Sequence, residues 1–346
     1  MSNTSLKTTE EWKDWREINW SKVERRVFKL QKRIYRASQR GDVIAVRKLQ
    51  KTLIESWYGR LLAVRRVIQS NQGEKTAGVG GVKSLSPEKC FALAKRLKLN
   101  SKVKPIRSTI QYLAWQMLVK IALENQWQAK FEPHSHNFRQ GESCQDAIEA
   151  IVNCVKLQPK YVLKADITKC FDCLDYEQLL KTLDIHPTLR KQIRVWLKDG
   201  LMDGKKLFLA EEVISPLLTN IAFHGMEKRI KHYAETLNEN QRLSLICYGG
   251  NLAIAHEDIE VVQKCQDIIT EFLSELCLEF KPSQIRISHT LYVYGEEKPG
   301  FDFLGFNIRQ YKVSENQSKL GFKTNIKPSA ESIRSLFIAF GGSPAP

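Results

Sequence analysis

Three stretches of the chain carry residue types and spacings that could do chemistry. The first is a short apolar strand, Tyr161-Val162-Leu163-Lys164-Ala165, that ends in Asp166 and leads through a turn to a helix from about Tyr176 to Leu183. A carboxylate at a strand end suits a hard cation, because the strand fixes it rigidly. One such aspartate does not make a site alone. The second stretch, Leu245 to Ala255, sets two apolar runs about Tyr248-Gly249-Gly250-Asn251. Strand, two-residue turn and strand predict a β-hairpin, and its tip holds no carboxylate. The third is a run of charge. Ser21 to Ser70 contains fourteen Lys and Arg, including Arg25, Arg26, Lys29, Lys32, Arg33, Arg36, Arg65 and Arg66, against Glu24, Asp42 and Glu55. A solvated helix face usually mixes both signs, so a face of nearly one sign points to phosphate contact.

The composition agrees with that direction. The 346 residues carry 54 basic and 38 acidic side chains, a net charge of +16, which favours a polyanionic partner, nucleic acid before an anionic membrane. With 42% hydrophobic and 27% charged residues the chain reads as folded and soluble. Apolar runs fall short of the ~20 residues of a membrane span, and Met1 to Glu10 has no apolar core of a secretory signal. Cys170 and Cys173 form a C-x-x-C spacing without a partner His, so the eight cysteines read as reduced thiols in a cytoplasmic compartment or an organellar matrix.

The elements that must position these residues follow from periodicity. Trp20, Val23, Val27, Leu30 and Ile34, then Val46, Leu49, Leu53 and Trp57, recur at helical spacing; Gly41-Asp42 divides the run into two helices. Asn71 to Gly81 is a Gly-rich loop without the order of a P-loop. Ser86-Pro87 starts a helix as N-cap and first helical position. Further helices are expected over Ala114–Phe131, Val213–Ile230 and about Glu260–Leu276, and strands over Ile285–Ser288, Leu291–Tyr294 and Phe303–Arg309. The C-terminal Gly341-Gly342-Ser343-Pro344 reads as a frayed tail.

Several of these segments together resemble the proteins encoded by group II introns, reverse transcriptases that also help their intron RNA to splice. The similarity lies in Ile18-Asn19-Trp20, Val27 to Tyr35 and Leu61 to Val67; in Gly73-Glu74-Lys75-Thr76-Ala77-Gly78-Val79; and in Phe138-Arg139 with Gly141 and Ser143-Cys144. It continues in Asp166 with Lys169-Cys170-Phe171-Asp172, in Ile214-Ser215-Pro216-Leu217-Leu218, in His224-Gly225-Met226-Glu227 and in Phe301 to Phe306. The resemblance runs from about residue 11 to 335. It implies an α+β chain: a disordered start over 1–10, a basic helical N-terminal extension over 11–100, an incomplete right-hand fingers/palm region over 101–335 and an unstructured tail over 336–346, with the thumb absent. It also implies Mg²⁺, structured RNA (group II intron RNA) as partner, and phosphate contacts from the cations above together with Lys75 and Arg139. No membrane partner is implied.

The departures from the family pattern bear on activity. The family holds two divalent ions between an aspartate matched by Asp166 and a Tyr-Ala-Asp-Asp hairpin. Here the hairpin reads Tyr248, Gly249, Gly250, Asn251, so both expected partners of Asp166 are replaced and Mg²⁺ is not expected to bind productively. Glu257 and Asp258 lie a strand length away, about 17 Å. Leu209 to Val213 stands where the family has Pro-Gln-Gly-Gly, Gln284 replaces a lysine, and a fingers hairpin expected before Thr109 is missing. The implied function is a catalytically inactive, RNA-binding relative, with a deoxynucleotide substrate not favoured. The alternatives are a decayed mobile-element remnant, residual RNA-directed DNA polymerase activity, and a basic scaffold for protein partners.

Overall fold

The computed structural model describes residues 12–73, 85–98, 110–136, 143–167, 174–202, 213–237 and 243–339. The Gly-rich loop with Lys75, the expected site of the missing hairpin before Thr109, Phe138 to Gly141 with Arg139, Lys169 to Asp172, and Leu209 to Glu212 lie outside these residues. Chain contacts divide the protein into two compact units, 1–131 with 176–221, and 132–175 with 222–346.

The first unit is helical. Helices α1 (Trp20–Gln39), α2 (Val43–Glu55), α3 (Trp57–Gly73), α4 (Pro87–Arg96) and α5 (Ile110–Gln128) are followed by α7 (Tyr176–Thr182), α8 (Pro187–Met202) and α9 (Ser215–Ala222), with α6 (Cys144–Val155) belonging to the second unit. α5 is apolar nearly all round and is the central element, burying Trp115, Leu118, Ile121, Leu123 and Trp127. Its buried polar groups are tied to its neighbours: Gln31 of α1 donates to the Ile121 carbonyl at 3.2 Å, and the Ser38 hydroxyl to the Gln126 carbonyl at 2.8 Å. Asn19 accepts from Lys22 N at 3.0 Å and Asp42 from Ala45 N at 2.9 Å, while Gly41 at φ +69° ends α1 in the left-handed conformation that glycine tolerates. Ser86 caps α4 with Pro87 at its first position. The N-terminal run makes three helices where two were expected. Ser56 is the reason: its hydroxyl donates to the Leu53 carbonyl at 2.8 Å and accepts from Gly59 N at 3.0 Å, ending α2 and opening α3 without disturbing the apolar period.

The second unit carries two sheets. Strands β1 (Tyr161–Asp166), β2 (Ser244–Tyr248), β3 (Asn251–His256) and β4 (Arg286–His289) form an antiparallel sheet in the order β2-β3-β1-β4. Strands β5 (Phe301–Phe303), β6 (Phe306–Lys312) and β7 (Phe322–Pro328) form the other. Helix α6 (Cys144–Val155) packs with Phe301, Phe303 and Ile308 against Val162, Ile246, Ala253 and Ala255 to form the core of this unit. Helices α10 (Met226–Ala234) and α11 (Ile259–Ser274) pack against each other, and α11 also covers β1 and β3.

Four expectations are corrected here. The helix expected over Val213–Ile230 is two helices, broken at Gly225, whose φ is +103°. Leu291–Tyr294 is no strand, because its donors are taken by a side chain: Nδ1 of His289 accepts from Leu291 N at 3.2 Å and Tyr292 N at 2.9 Å. The strand expected over Phe303–Arg309 begins in one hairpin arm and continues in the other, since Leu304 (φ +48°) and Gly305 (φ +83°) make a two-residue turn between paired Phe303 and Phe306. The tail expected to be unstructured over 336–346 is helical as far as Ala339, and its remainder, with Gly341 to Pro344, lies outside the described residues. β7 pairs along β6, and Ser329 caps helix α12 (Ala330–Ala339) by accepting from Ser332 N at 3.2 Å, so helix extends past residue 336.

Candidate functional site

The hairpin is present, with Tyr248 paired to Asn251 across Gly249-Gly250. Gly249 has φ +61°, which a glycine adopts without strain at the first central position of the turn. β3 runs antiparallel to β1 with Asn251 directly opposite Asp166. The registry therefore brings Tyr248, Gly249, Gly250, Asn251 and Asp166 to one end of the sheet. A Cβ placed on Gly250 would lie 3.3 Å from Asp166 Oδ1. Just beyond the strands, Ile167 N donates to the Gly250 carbonyl at 2.9 Å and Lys281 N donates to the Asp166 carbonyl at 2.8 Å.

The Asp166 carboxylate has company of an unexpected kind. With its amide nitrogen turned toward the carboxylate, the orientation that satisfies both ends of the group, Gln284 donates to Asp166 Oδ2 at 2.7 Å and its oxygen accepts from Lys281 Nζ at 3.2 Å. Burial pushes the Asp166 pKa up, and the charges of Lys281 and Lys164 work against that rise. Two divalent ions need several hard, negatively charged oxygen ligands. Around Asp166 stand a glycine, an asparagine, a carboxamide and an ammonium, a donor set that does not fit a pair of dications. Among the described residues, no three His, Cys, Asp or Glu side chains are grouped to hold a metal ion. Glu257 and Asp258 follow His256, which pairs with Tyr161 at the opposite end of β1. Asp258 serves there as the cap of α11, accepting from Glu260 N at 2.8 Å.

A second polar cluster lies where the chain enters this unit. Glu132 accepts from Gly225 N, Glu227 N and Lys228 N at 3.3, 3.3 and 2.9 Å and so caps α10 from outside the helix. Buried Glu227 accepts from His134 N at 3.1 Å, lies 2.9 Å from His134 Nδ1 and takes Lys231 Nζ at 2.6 Å. Burial alone would raise its pKa, but these hydrogen bonds outweigh it and hold the value at about 2. The cluster fixes the segment 134–136 along β2: Cys247 N donates to the His134 carbonyl at 3.0 Å and His136 N to the Cys247 carbonyl at 2.8 Å. Only the His-Gly-Met-Glu resemblance singled out any of these residues, and no local spacing links Glu132 to a helix that begins at Met226.

The predicted cations divide into two groups. Arg25, Arg26, Lys29, Lys32, Arg33 and Arg36 are all exposed on α1, with exposed Phe28 among them. Arg65 is used inside the fold: it pairs with Glu24 at 2.9 Å and its guanidinium lies 4.5 Å from the centre of the Trp20 ring. Arg66 is half-buried on α3. Of the eight thiols, the six described are free, and burial pushes Cys247 and Cys265 up to about 12.

Two family profiles match the chain: the N-terminal domain of reverse transcriptase over residues 15–97, and reverse transcriptase (RNA-dependent DNA polymerase) over residues 95–308. Maturase-like protein 1 of Euglena longa is 29% identical over 325 residues, covering 86% of this chain and 67% of that protein. The protein of the same name from Euglena gracilis is 29% identical over 236 residues, covering 60% of this chain and 51% of its own. The group II intron-encoded protein LtrA of Lactococcus lactis subsp. cremoris is 28% identical over 122 residues, covering 33% and 20%. The chain thus spans about half to two thirds of the length of the two Euglena relatives it matches.

Proposed function

Given that the chain belongs to the group II intron reverse transcriptase/maturase family, we propose that it acts as an RNA-binding, maturase-like protein without polymerase activity. The observation that carries this reading is the pairing at the sheet end: opposite Asp166 stand Gly250 and Asn251, and the carboxylate is taken up by Gln284. In this reading the four-stranded sheet corresponds to a polymerase palm, and the helices from Trp20 onward to the N-terminal extension and part of the fingers. The exposed cationic face of α1 supports RNA as the partner, with structured intron RNA as the form the family implies. Bound Mg²⁺ would supply the two-ion activation of a primer hydroxyl in an intact member of the family. The donor set about Asp166 does not support that step here. No helix among the described residues is long and apolar enough to cross a membrane. The reading places the protein where intron transcripts are spliced, in the cytoplasm or an organellar matrix.

Two measurements test it. Primer extension on an RNA template with Mg²⁺ or Mn²⁺ is expected to give no product above background; robust synthesis abolished by Asp166→Ala would overturn the reading. Binding to structured RNA is expected to weaken as salt rises, and the combined substitution of Arg25, Arg26, Lys29 and Arg33 by Gln is expected to weaken it at every salt concentration. Background affinity at ~0.1 M salt would remove RNA as the partner.

A further inference from the structure

A second cationic feature of the helical unit owes nothing to the family motifs. Between α2 and α8 lies an open groove of ≈ 630 Å³. Arg47 forms one wall and Arg190, Lys191, Arg194 and Lys198 the other. The four on α8 fall at i, i+1, i+4 and i+8, so they share one side of that helix. Ile185, Pro187 and Val195 supply an apolar lining, and no acidic side chain lines the groove among the described residues.

The arrangement is held in place at the groove wall. Arg194 is braced by Glu177 at 2.8 Å, and Arg190 donates to the Leu183 carbonyl at 2.6 Å. The Nε groups of Arg47, Arg190 and Arg194 are buried without a hydrogen-bond partner among the described residues. Five cations gathered without a lining acid repel one another. An anion with many oxygens relieves that repulsion and accepts from the exposed Lys191 and Lys198 ammonium groups and from the arginine N–H groups that face the groove. The apolar lining suits a sugar or base beside the phosphates. On α2 the charge continues outward through exposed Lys48 and Lys51.

We infer that this groove is a second phosphate-binding track for RNA, separate from the exposed face of α1. The inference rests on the reading that the chain binds structured RNA. A mononucleotide polyphosphate offers the same chemistry on a smaller scale, and the test separates the two.

The test measures affinity for a structured RNA across a salt series, using the full chain. Lys191→Gln with Lys198→Gln is the main variant, since both side chains are exposed and neither forms an ion pair among the described residues. Arg47→Gln probes the opposite wall and replaces the pair as readout should the pair lower the thermal midpoint. Loss of two phosphate contacts is expected to weaken binding by about 10-fold or more near 0.1 M salt and to make the log–log salt slope shallower by roughly 1.5. If the wild-type chain fails to bind RNA, the proposed function itself fails and takes this inference with it. If wild type binds and the α1 substitutions weaken binding while the groove substitutions do not, the groove is overturned and the function stands. If the groove substitutions abolish binding of ATP or inorganic pyrophosphate yet leave RNA affinity unchanged, a small phosphate ligand replaces RNA and the inference is overturned.

Discussion

Gln284 closes over Asp166: its amide nitrogen lies 2.7 Å from Oδ2, and its amide oxygen takes the Lys281 ammonium at 3.2 Å. A carboxylate that resembles a metal ligand in sequence is thereby a hydrogen-bond acceptor in the fold. Its first effect is on stability. Asp166→Ala leaves the Gln284 amide without its acceptor and is expected to cost about 1–3 kcal/mol, whereas Asp166→Asn keeps an oxygen there and is expected to cost less. Urea denaturation of the two variants measures the difference; equal losses would mean that the contact contributes nothing.

Restoring carboxylates at the hairpin should restore affinity for a cation. A Cβ at residue 250 lies 3.3 Å from Asp166 Oδ1, so Gly250→Asp with Asn251→Asp gathers three acids at the sheet end. Without metal the like charges are expected to lower the thermal midpoint. Millimolar Mn²⁺ is then expected to raise the midpoint of the double variant and to leave the wild type unmoved. An identical response from both proteins would refute this placement of the hairpin.

Glu227 sets a pH dependence. Its folded-state pKa of about 2 lies below the ordinary glutamate value of 4.5, so between these values the unfolded chain binds more protons. The stabilisation is therefore complete above about pH 4.5 and is lost as pH falls toward 2; it amounts to at most about 3 kcal/mol. Glu227→Gln is expected to lose it at neutral pH and to show a flatter fall in the acid range. Urea midpoints followed from pH 7 to pH 3 give the comparison, and parallel curves for both proteins would count against the ion cluster.

Gly300 is required by its backbone. At φ +90° an added Cβ would meet the Ile308 carbonyl oxygen at 2.7 Å. Gly300→Ala is expected to cost about 3 kcal/mol from the left-handed conformation and the clash together. Gly295, at φ +58° with nothing within 4 Å of its Cβ, is the control, and Gly295→Ala is expected to cost about 1 kcal/mol. A smaller loss at position 300 than at 295 would contradict the close approach of Gly300 to Ile308 and Arg309 of β6.

What could be read from the sequence was local. The hairpin at Gly249-Gly250, the helix break at Gly41-Asp42, the cap at Ser86 and the strand ending in Asp166 are each specified by neighbours within a few residues. What could not be read was long-range. Glu132 caps a helix more than ninety positions later, and Lys281 and Gln284 reach Asp166 across more than a hundred. The α8 cations were passed over for the same reason, because Arg47, counted in the N-terminal run, and Arg190 become neighbours only when α2 and α8 do. Strand β7 escaped notice because its Lys-Thr-Asn-Ile-Lys pattern is mostly exposed and carries no alternation to detect.

The segment 134–136 beside β2 has one more consequence. By engaging both the donor and the acceptor of Cys247, it occupies the outer rim of the sheet, where a foreign strand would otherwise add. Glu227 holds that segment through His134 N. Protonating Glu227 therefore loosens the guard on an open β edge, and acid exposure becomes a route to aggregation as well as to unfolding.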